Sequence, residues 1–269
     1  MKIAGTRIEE AEDDDRAYTV LVSDLHIQAD GGEVLRRFCD LVDDAAGQPN
    51  PRLLVLGDLF DAYAGPKQAR VGVWLEVCSR LARAAAAGLS ITLLHGNRDF
   101  MLDRAFAERA KCRVVAGGLR LRLGERTCLL LHGDELCQRD LPYQRAKRIL
   151  RHPMTRAVVR SLPLPVALSL ADRARKRSTA VVASGDQSRF DPVASAMIEV
   201  FASGAEVLVF GHIHRPARGH FDRAGVGGEY AILPAFDEGA VHLVHRDGRL
   251  SYRSLELGDL PDYPPREFR

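Results

Sequence analysis

Five short stretches of the chain share one pattern, an apolar run of strand length that ends abruptly in a small residue and a polar one. They are "VLVSDLH" with Asp24 and His26, "RLLVLGD" ending at Asp58, "ITLLHGN" ending at Asn97, "CLLLHGD" with His132, and "VLVFGHIH" with His212 and His214. Continuous apolar runs bounded by turn residues read as buried strands. Successive side chains of an extended strand alternate faces, so Asp24 and His26 point the same way and can grip one object. Between the first three runs, "GEVLRRFCDLVDDAA" and "ARVGVWLEVCSRLARAAAA" place apolar residues at three-to-four spacing, which predicts helices. The order strand, helix, strand, helix, strand suggests a partly parallel sheet. In open α/β sheets the sites lie outside the carboxyl ends of the strands, so five polar tips are expected along one edge.

After Gly117 the texture changes to the alternation "LRLRLGERTCLLLHG", which returns in "EYAILPAF" and "GAVHLVHRDGRLSYRSLEL". Asp247-Gly248 between two alternating runs predicts a two-residue hairpin. A second, mostly antiparallel sheet packed on the first is expected, giving an α/β fold that is a layered α-β-β-α sandwich of two mixed sheets. The domain is expected over residues 17–269, behind a polar, frayed leader at 1–16.

Residues 139–189 break the pattern. They hold twelve Arg or Lys against three Asp, a net +9 in a chain whose total is +2. "YQRAKRILRH" and "VALSLADRARKR" read as short amphipathic helices punctuated by Pro153, Pro163 and Pro165. The segment 139–190 is therefore expected to be a basic helical cap inserted between two site-bearing strands. Residues 139–189 hold a single aromatic, Tyr143, which offers little platform for stacking bases, whereas the apolar stretch "VVRSLPLPVALSLA" suits lipid. A membrane surface is the expected partner, and nucleic acid is not.

The chain shows no apolar run of about 18 residues, and its acidic start is unlike a signal peptide. A cytoplasmic protein is expected. Five cysteines, odd in number and without a CxxC pair, read as structural thiols.

The seven tip residues offer two carboxylates, four imidazoles and an amide oxygen. That is too many donors for one tetrahedral zinc, but it suits two divalent ions about 3.5–4 Å apart. Asp58, central among the tips, is the candidate for a bridging carboxylate. Mixed nitrogen and oxygen donors favour Mn²⁺, Fe²⁺, Co²⁺ or Zn²⁺ over Mg²⁺ and Ca²⁺, and leave the choice among those four open. His152, His220, His242 and His245 read as structural or surface residues, and His95 as either structural or functional.

In sequence order, "SDLH", "GDLFD", "HGNRDF", "LHGDEL" and "GHIHRP" resemble the motif series of the calcineurin-like metallophosphoesterases, over residues 23–216. The resemblance implies that Asp24, His26, Asp58 and His214 hold one ion, and that Asp58, Asn97, His132 and His212 hold the other. It implies hydrolysis by in-line attack of metal-activated water, without a covalent enzyme intermediate, and gives Asp58, Asn97 and Arg98 the catalytic roles. Arg98 stands where many relatives carry His. A guanidinium does not act as an acid near neutral pH but clamps phosphate oxygens as a permanent forked cation. With "HGDELC" and the basic insertion, Arg98 makes the chain similar to the family branch that cleaves UDP-2,3-diacylglucosamine to UMP and a lipid monosaccharide phosphate. That branch implies a lipid-linked UDP-sugar substrate, peripheral attachment to the inner membrane, and substrate contacts at Asn97, Arg98, Asp140, Tyr143, Ser178 and His212. The chain departs from the branch at Asp61, where Glu is usual, and at Val182, where Asn is usual. The rival reading these departures motivate is action on another diphosphate, nucleotide or phosphodiester.

Overall fold

The apolar runs form strands, and their alternation decides which core each side chain enters. Val20 and Val22 pack with the cluster under one layer of helices, whereas Leu21 between them packs into the cluster between the sheets. Leu53 and Val55 against Leu54, and Leu129 and Leu131 against Leu130, divide in the same way.

The computed structural model describes residues 1–11, 17–184 and 187–268, and their side chains except at 177–184, 187 and 188. In chain order, β1 (Lys2–Ile3), β2 (Thr6–Glu10), β3 (Tyr18–Val22), α1 (Gly32–Ala46), β4 (Pro51–Val55), α2 (Gly72–Ala86), β5 (Ser90–Leu94), α3 (Arg104–Ala110) and β6 (Arg113–Val115) lead into β7 (Gly118–Leu123) and β8 (Arg126–Leu130). Three helices follow, α4 (Leu141–Leu150), α5 (Pro153–Ser161) and α6 (Leu164–Ser184), before α7 (Ala194–Ala202) returns the chain to β9 (Val207–Phe210). β10 (Ala217–Arg223), β11 (Val226–Ile232), β12 (Val241–Arg246), β13 (Arg249–Ser254) and β14 (Gly258–Asp259) complete the order.

Among the described residues two seven-stranded sheets form, β14-β13-β12-β3-β4-β5-β6 and β1-β2-β7-β8-β9-β11-β10. Both are mixed. In the first, β3 to β6 run parallel while β12 to β14 are antiparallel. In the second, β8, β9 and β11 run parallel. Phe38 and Leu41 of α1, Val77 and Leu81 of α2 and Phe106 of α3 cover the first sheet, and Met197 and Val200 of α7 cover the second. The result is the α-β-β-α sandwich expected from the sequence.

Three expectations need correction. The segment 1–16 is not a frayed leader throughout, because β2 pairs in parallel with β7 and buries Ile8, while β1 buries Ile3. Burying such a side chain contributes about 1.5–3 kcal/mol, enough to pin a short edge strand. The hairpin at Asp247-Gly248 is present, with φ of 51° and 73° as a two-residue turn of this kind requires. It extends the first sheet beside β3, however, rather than building the second. Finally, "VALSLADRARKR" belongs to one 21-residue helix, α6, not a short one. Pro165 is its second residue, where a missing N–H costs nothing.

Helices α4 to α6 lie between β8 and α7 and are tied to the sandwich by polar bonds. Lys147 reaches Asp134 at 2.7 Å, Arg151 donates to the Gly96 carbonyl at 3.0 Å, and Arg160 pairs with Asp103 at 3.2 Å. From the sandwich side, Lys67 donates to the Leu162 carbonyl at 2.8 Å. No helix among the described residues is long and apolar enough to cross a membrane.

Candidate active site

Parallel β3, β4 and β5 end side by side in one sheet, and parallel β8 and β9 end side by side in the other. The chain leaving each strand carries one or two of the seven predicted donors. Pairing continues past the strand ends: His26 N donates to Asp58 O at 2.9 Å, Gly211 N to His132 O at 2.8 Å, and His212 N to the Asp24 carboxylate at 2.7 Å. The last bond joins the tip of one sheet to the tip of the other.

Five of the seven donors, Asp24, His26, Asp58, His212 and His214, sit at positive φ between 51° and 69°. Non-glycine residues rarely adopt that region, and clustered outliers of this kind persist only where surroundings over-determine them. The surroundings here are glycines pressed against the donors. A Cβ on Gly96 would meet Asp58 Oδ1 at 2.0 Å and Asp58 N at 2.3 Å, and one on Gly211 would meet Asp24 Oδ2 at 2.3 Å. Gly96→Ala should therefore push the β4 and β5 loops apart, costing about 1–3 kcal/mol as overpacking does. The expected readout is lost metal binding with a lowered Tm; an unaltered metal content would contradict this packing argument.

The donors converge. His214 Nε2 lies 3.2 Å from Asp24 Oδ1 and 3.3 Å from His26 Nε2, and His26 Nδ1 lies 3.7 Å from Asp58 Oδ2. On the other side, Asn97 Oδ1 is 2.8 Å from His132 Nε2 and 3.0 Å from His212 Nδ1, and Asp58 Oδ1 is 3.8 Å from His132 Nε2. Asp58 thus faces both halves, and it is only 1% exposed.

These residues fit cations better than they fit one another. His132 Nδ1 is 2.9 Å from the Leu56 carbonyl, which requires the proton on Nδ1. In the neutral ring that leaves the Nε2 lone pair facing the Asn97 oxygen, acceptor against acceptor. His26 Nδ1 is buried with no hydrogen-bond partner. Asp24, His26 and His214 form one group able to converge on an ion, and Asp24, Asp58 and His132 form another. A second bond that fixes the tautomer, as Leu56 does for His132, is usual for a ligating imidazole.

Without an ion, a proton takes the cation's place on His132 and lets its Nε2–H donate to the Asn97 oxygen. Burial pushes Asp58 up to about 7. Burial would lower His132, but Asp58, Asp24, Asp134 and Glu135 outweigh it and hold its proton to about 9. Burial lowers His26 and His212 to about 3, so both are neutral donors. Burial would raise Asp24, yet the His214 hydrogen bond and the neighbouring imidazoles hold it well below the usual carboxylate range. Divalent ions must displace the protons on Asp58 and His132. Metal affinity is therefore expected to rise with pH through about 7 and on towards 9, with protons released on binding. Calorimetry in buffers of different ionisation enthalpy measures that release; pH-independent affinity between 6 and 9 would contradict it.

Around the donors the other predicted residues take defined places. Arg98 donates its backbone N–H to Asp58 Oδ1 at 2.9 Å, and its Nε lies 3.6 Å from Asp58 Oδ2. Asp140 is the N-cap of α4, accepting from Tyr143 N at 3.4 Å. Tyr143 donates its hydroxyl to Asp134, with its ring centroid 6.3 Å from that of His212. The Ser178 side chain lies outside the described residues. His95 is buried, and burial lowers it to about 4, so it is a neutral donor to the Leu102 carbonyl at 2.8 Å. Its place is structural.

Two buried carboxylates next to the donors, Asp99 and Asp134, read in the sequence as supporting or structural residues, and both support the loops. Asp99 accepts from Gly96 N at 2.9 Å and Leu59 N at 2.8 Å, bracing the β5 loop against the β4 loop. Asp134 gathers Tyr143, Lys147 and Arg151, whose i, i+4, i+8 spacing along α4 was the available signal.

The model of the calcineurin-like phosphoesterase family matches residues 18–216. A UDP-2,3-diacylglucosamine hydrolase of Pseudomonas putida F1 is 37% identical over 199 residues, 74% of this chain and 82% of that one. Proteins of the same name from Pseudomonas entomophila L48 and Pseudomonas savastanoi pv. phaseolicola 1448A are each 36% identical over 74% of this chain, covering 82% and 79% of theirs. With its family match spanning all five motifs and strands of both sheets, the chain belongs to the calcineurin-like phosphoesterases.

Proposed function

We propose that the chain hydrolyses the pyrophosphate bond of a UDP-linked diacylated glucosamine, giving UMP and a lipid monosaccharide 1-phosphate. The observation that carries this reading is a joint one. The seven-donor cluster sits on loops to which an apolar, basic helical cap is bonded. Arg151, which caps the C-terminus of α4, contacts the Gly96 carbonyl beside Asn97, and Tyr143 packs near His212. Among the described cap residues, Leu141, Ile149, Met154, Val158, Val166 and Leu170 are exposed. A phosphate centre beside such a surface suits an anionic head group carrying acyl chains. The UDP-2,3-diacylglucosamine hydrolases among its relatives support the same choice.

Asp24, His26, Asp58 and His214 would hold one divalent ion, and Asp58, Asn97, His132 and His212 the other. Mn²⁺ is the ion proposed, as one of the four that the mixed donor set favours. When bound, the pair supplies Lewis-acid polarisation of the phosphate and a water of lowered pKa. The remaining work falls to the chain. Asn97 and Arg98 hold the phosphate oxygens, and the forked, permanent charge of Arg98 meets the negative charge that grows on them in the transition state. A phosphate leaving group needs little protonation, so an arginine in place of an acid is no handicap. Asp140, Tyr143, His212 and Ser178 are proposed to contact the sugar and phosphate. The N-cap bond of Asp140 and the Tyr143 hydroxyl bond to Asp134 set the start of α4, which orients both residues.

The substrate reading is tested by comparing turnover of UDP-2,3-diacylglucosamine with that of UDP-glucose. Strong preference for the acylated substrate is expected. Equal turnover would favour the rival, a phosphoesterase acting on another diphosphate, nucleotide or phosphodiester.

The exposed apolar residues and basic runs of the cap also support peripheral attachment to the cytoplasmic face of the inner membrane. Met154, 72% exposed, is the most exposed apolar residue among the described residues of the cap. Met154→Glu is expected to weaken sedimentation with anionic lipid vesicles several-fold while leaving metal content unchanged. Equal vesicle binding by both proteins would remove Met154 from the contact.

A further inference from the structure

Asp61 lies three residues past Asp58 on the loop after β4, and its amide is held by the Ile27 carbonyl at 3.1 Å. It stands outside both groups of donors able to converge on an ion. Its two carboxylate oxygens are taken by cations from different parts of the molecule. Oδ1 accepts from Arg98 Nη1 at 2.6 Å, and Oδ2 pairs with Arg175 Nη1 of α6 at 3.1 Å. Arg175 is in turn steadied by Asp172 one turn earlier, at 2.8 Å. The Asp61 side chain is 16% exposed, so solvent screens these pairs only in part.

We propose that Asp61 is a positioning residue that couples the cap to the Arg98 guanidinium, so that seating α6 and aiming Arg98 are one event. The inference rests on the reading of Arg98 as a phosphate clamp. An arginine side chain has about 2 kcal/mol of rotamer entropy, and its head is useful only when that freedom is removed. Asp58 alone does not remove it, because its nearest approach to the Arg98 guanidinium is 3.6 Å, beyond hydrogen-bond distance. Asp61 fixes Nη1 and leaves Nη2 free for a phosphate oxygen, since guanidinium has five N–H donors. A misplacement of about 1 Å at such a group can cost on the order of 10² in rate. The second oxygen makes the fixation conditional. While α6 is seated, Arg175 holds the carboxylate in place; when α6 lifts, Asp61 loses one of its two partners and Arg98 loses a rigid brace.

The test is a double-mutant cycle on the metal-loaded protein, with amide hydrogen exchange on the metal-free protein alongside. Asp61→Asn is expected to lower kcat about tenfold with metal content unchanged, and Asp61→Glu to recover part of that loss. In an Arg98→Ala background the same Asp61→Asn change is expected to cost less than about twofold, because its target is gone. Exchange of the α6 amides is expected to speed up in Asp61→Asn and in Arg175→Ala, and by a smaller amount in Arg98→Ala, because coupling through Asp61 runs both ways. An Asp61→Asn loss of equal size in both backgrounds, or unchanged α6 exchange, overturns the inference. If Arg98→Ala alone costs nothing, the clamp reading has failed and takes this inference with it. A costly Arg98→Ala with a neutral Asp61→Asn overturns the coupling alone.

Discussion

Asp58→Ala is expected to yield a folded protein that binds neither ion firmly and turns over no substrate detectably. Asp58 is the donor that faces both halves of the cluster, 3.7 Å from His26 Nδ1 on one side and 3.8 Å from His132 Nε2 on the other. It also accepts the Arg98 backbone N–H, so its loss frees the loop that presents Asn97 and Arg98. Removing one charge-stabilising donor costs about 10²–10³ in rate. Removing a donor shared by two ions should exceed that, with activity down by more than about 10³. The φ of 54° at this position adds strain for Ala, whereas Asn tolerates it better. Asp58→Asn is thus the control that separates backbone strain from the lost charge. Metal content by mass spectrometry checks the claim: two ions retained in Asp58→Asn would show that Asp58 is not the shared ligand.

Arg98→Ala should behave differently, keeping both ions and losing rate by a factor of about 10²–10³. The difference follows from which atoms do what. The bond from Arg98 to the metal cluster is made by its backbone N–H, which alanine retains. What alanine removes is the guanidinium, held by Asp61 at 2.6 Å and facing the Asp58 carboxylate. Arg98→Lys should recover only part of the loss, because an ammonium restores the charge but not the fork. Loss of metal along with rate in Arg98→Ala would mean that the guanidinium belongs to the metal site, against the roles assigned here.

The converging donors were legible in the sequence because buried parallel strands betray themselves as unbroken apolar runs, and the polar residues closing those runs gather at the strand ends. "RLLVLGD" and "VLVFGHIH" needed no partner strand to be read. Hairpin β12–β13 was equally visible as a hairpin, but alternation reports a strand's two faces and not its neighbour, so its sheet was misassigned. The strand Thr6–Glu10 escaped notice because "TRIEE" offers a single large apolar residue, Ile8, among charges that face outward at an edge. The tethers of the cap were hidden for a related reason. Lys147, Arg151 and Arg175 read as a solvated basic face until the fold sets Asp134, Gly96 and Asp61 opposite them. The positive φ values at five donors leave no mark on the sequence beyond the small residues that precede several of them.

The most direct test of the central claim is phosphorus NMR of the products when Mn²⁺-loaded protein meets UDP-2,3-diacylglucosamine in ¹⁸O-labelled water. UMP and the lipid monosaccharide 1-phosphate in equal amounts are expected, with one ¹⁸O per turnover on a single product, which identifies the phosphorus attacked. Release of UDP, or no turnover with both ions demonstrably bound, would contradict the account.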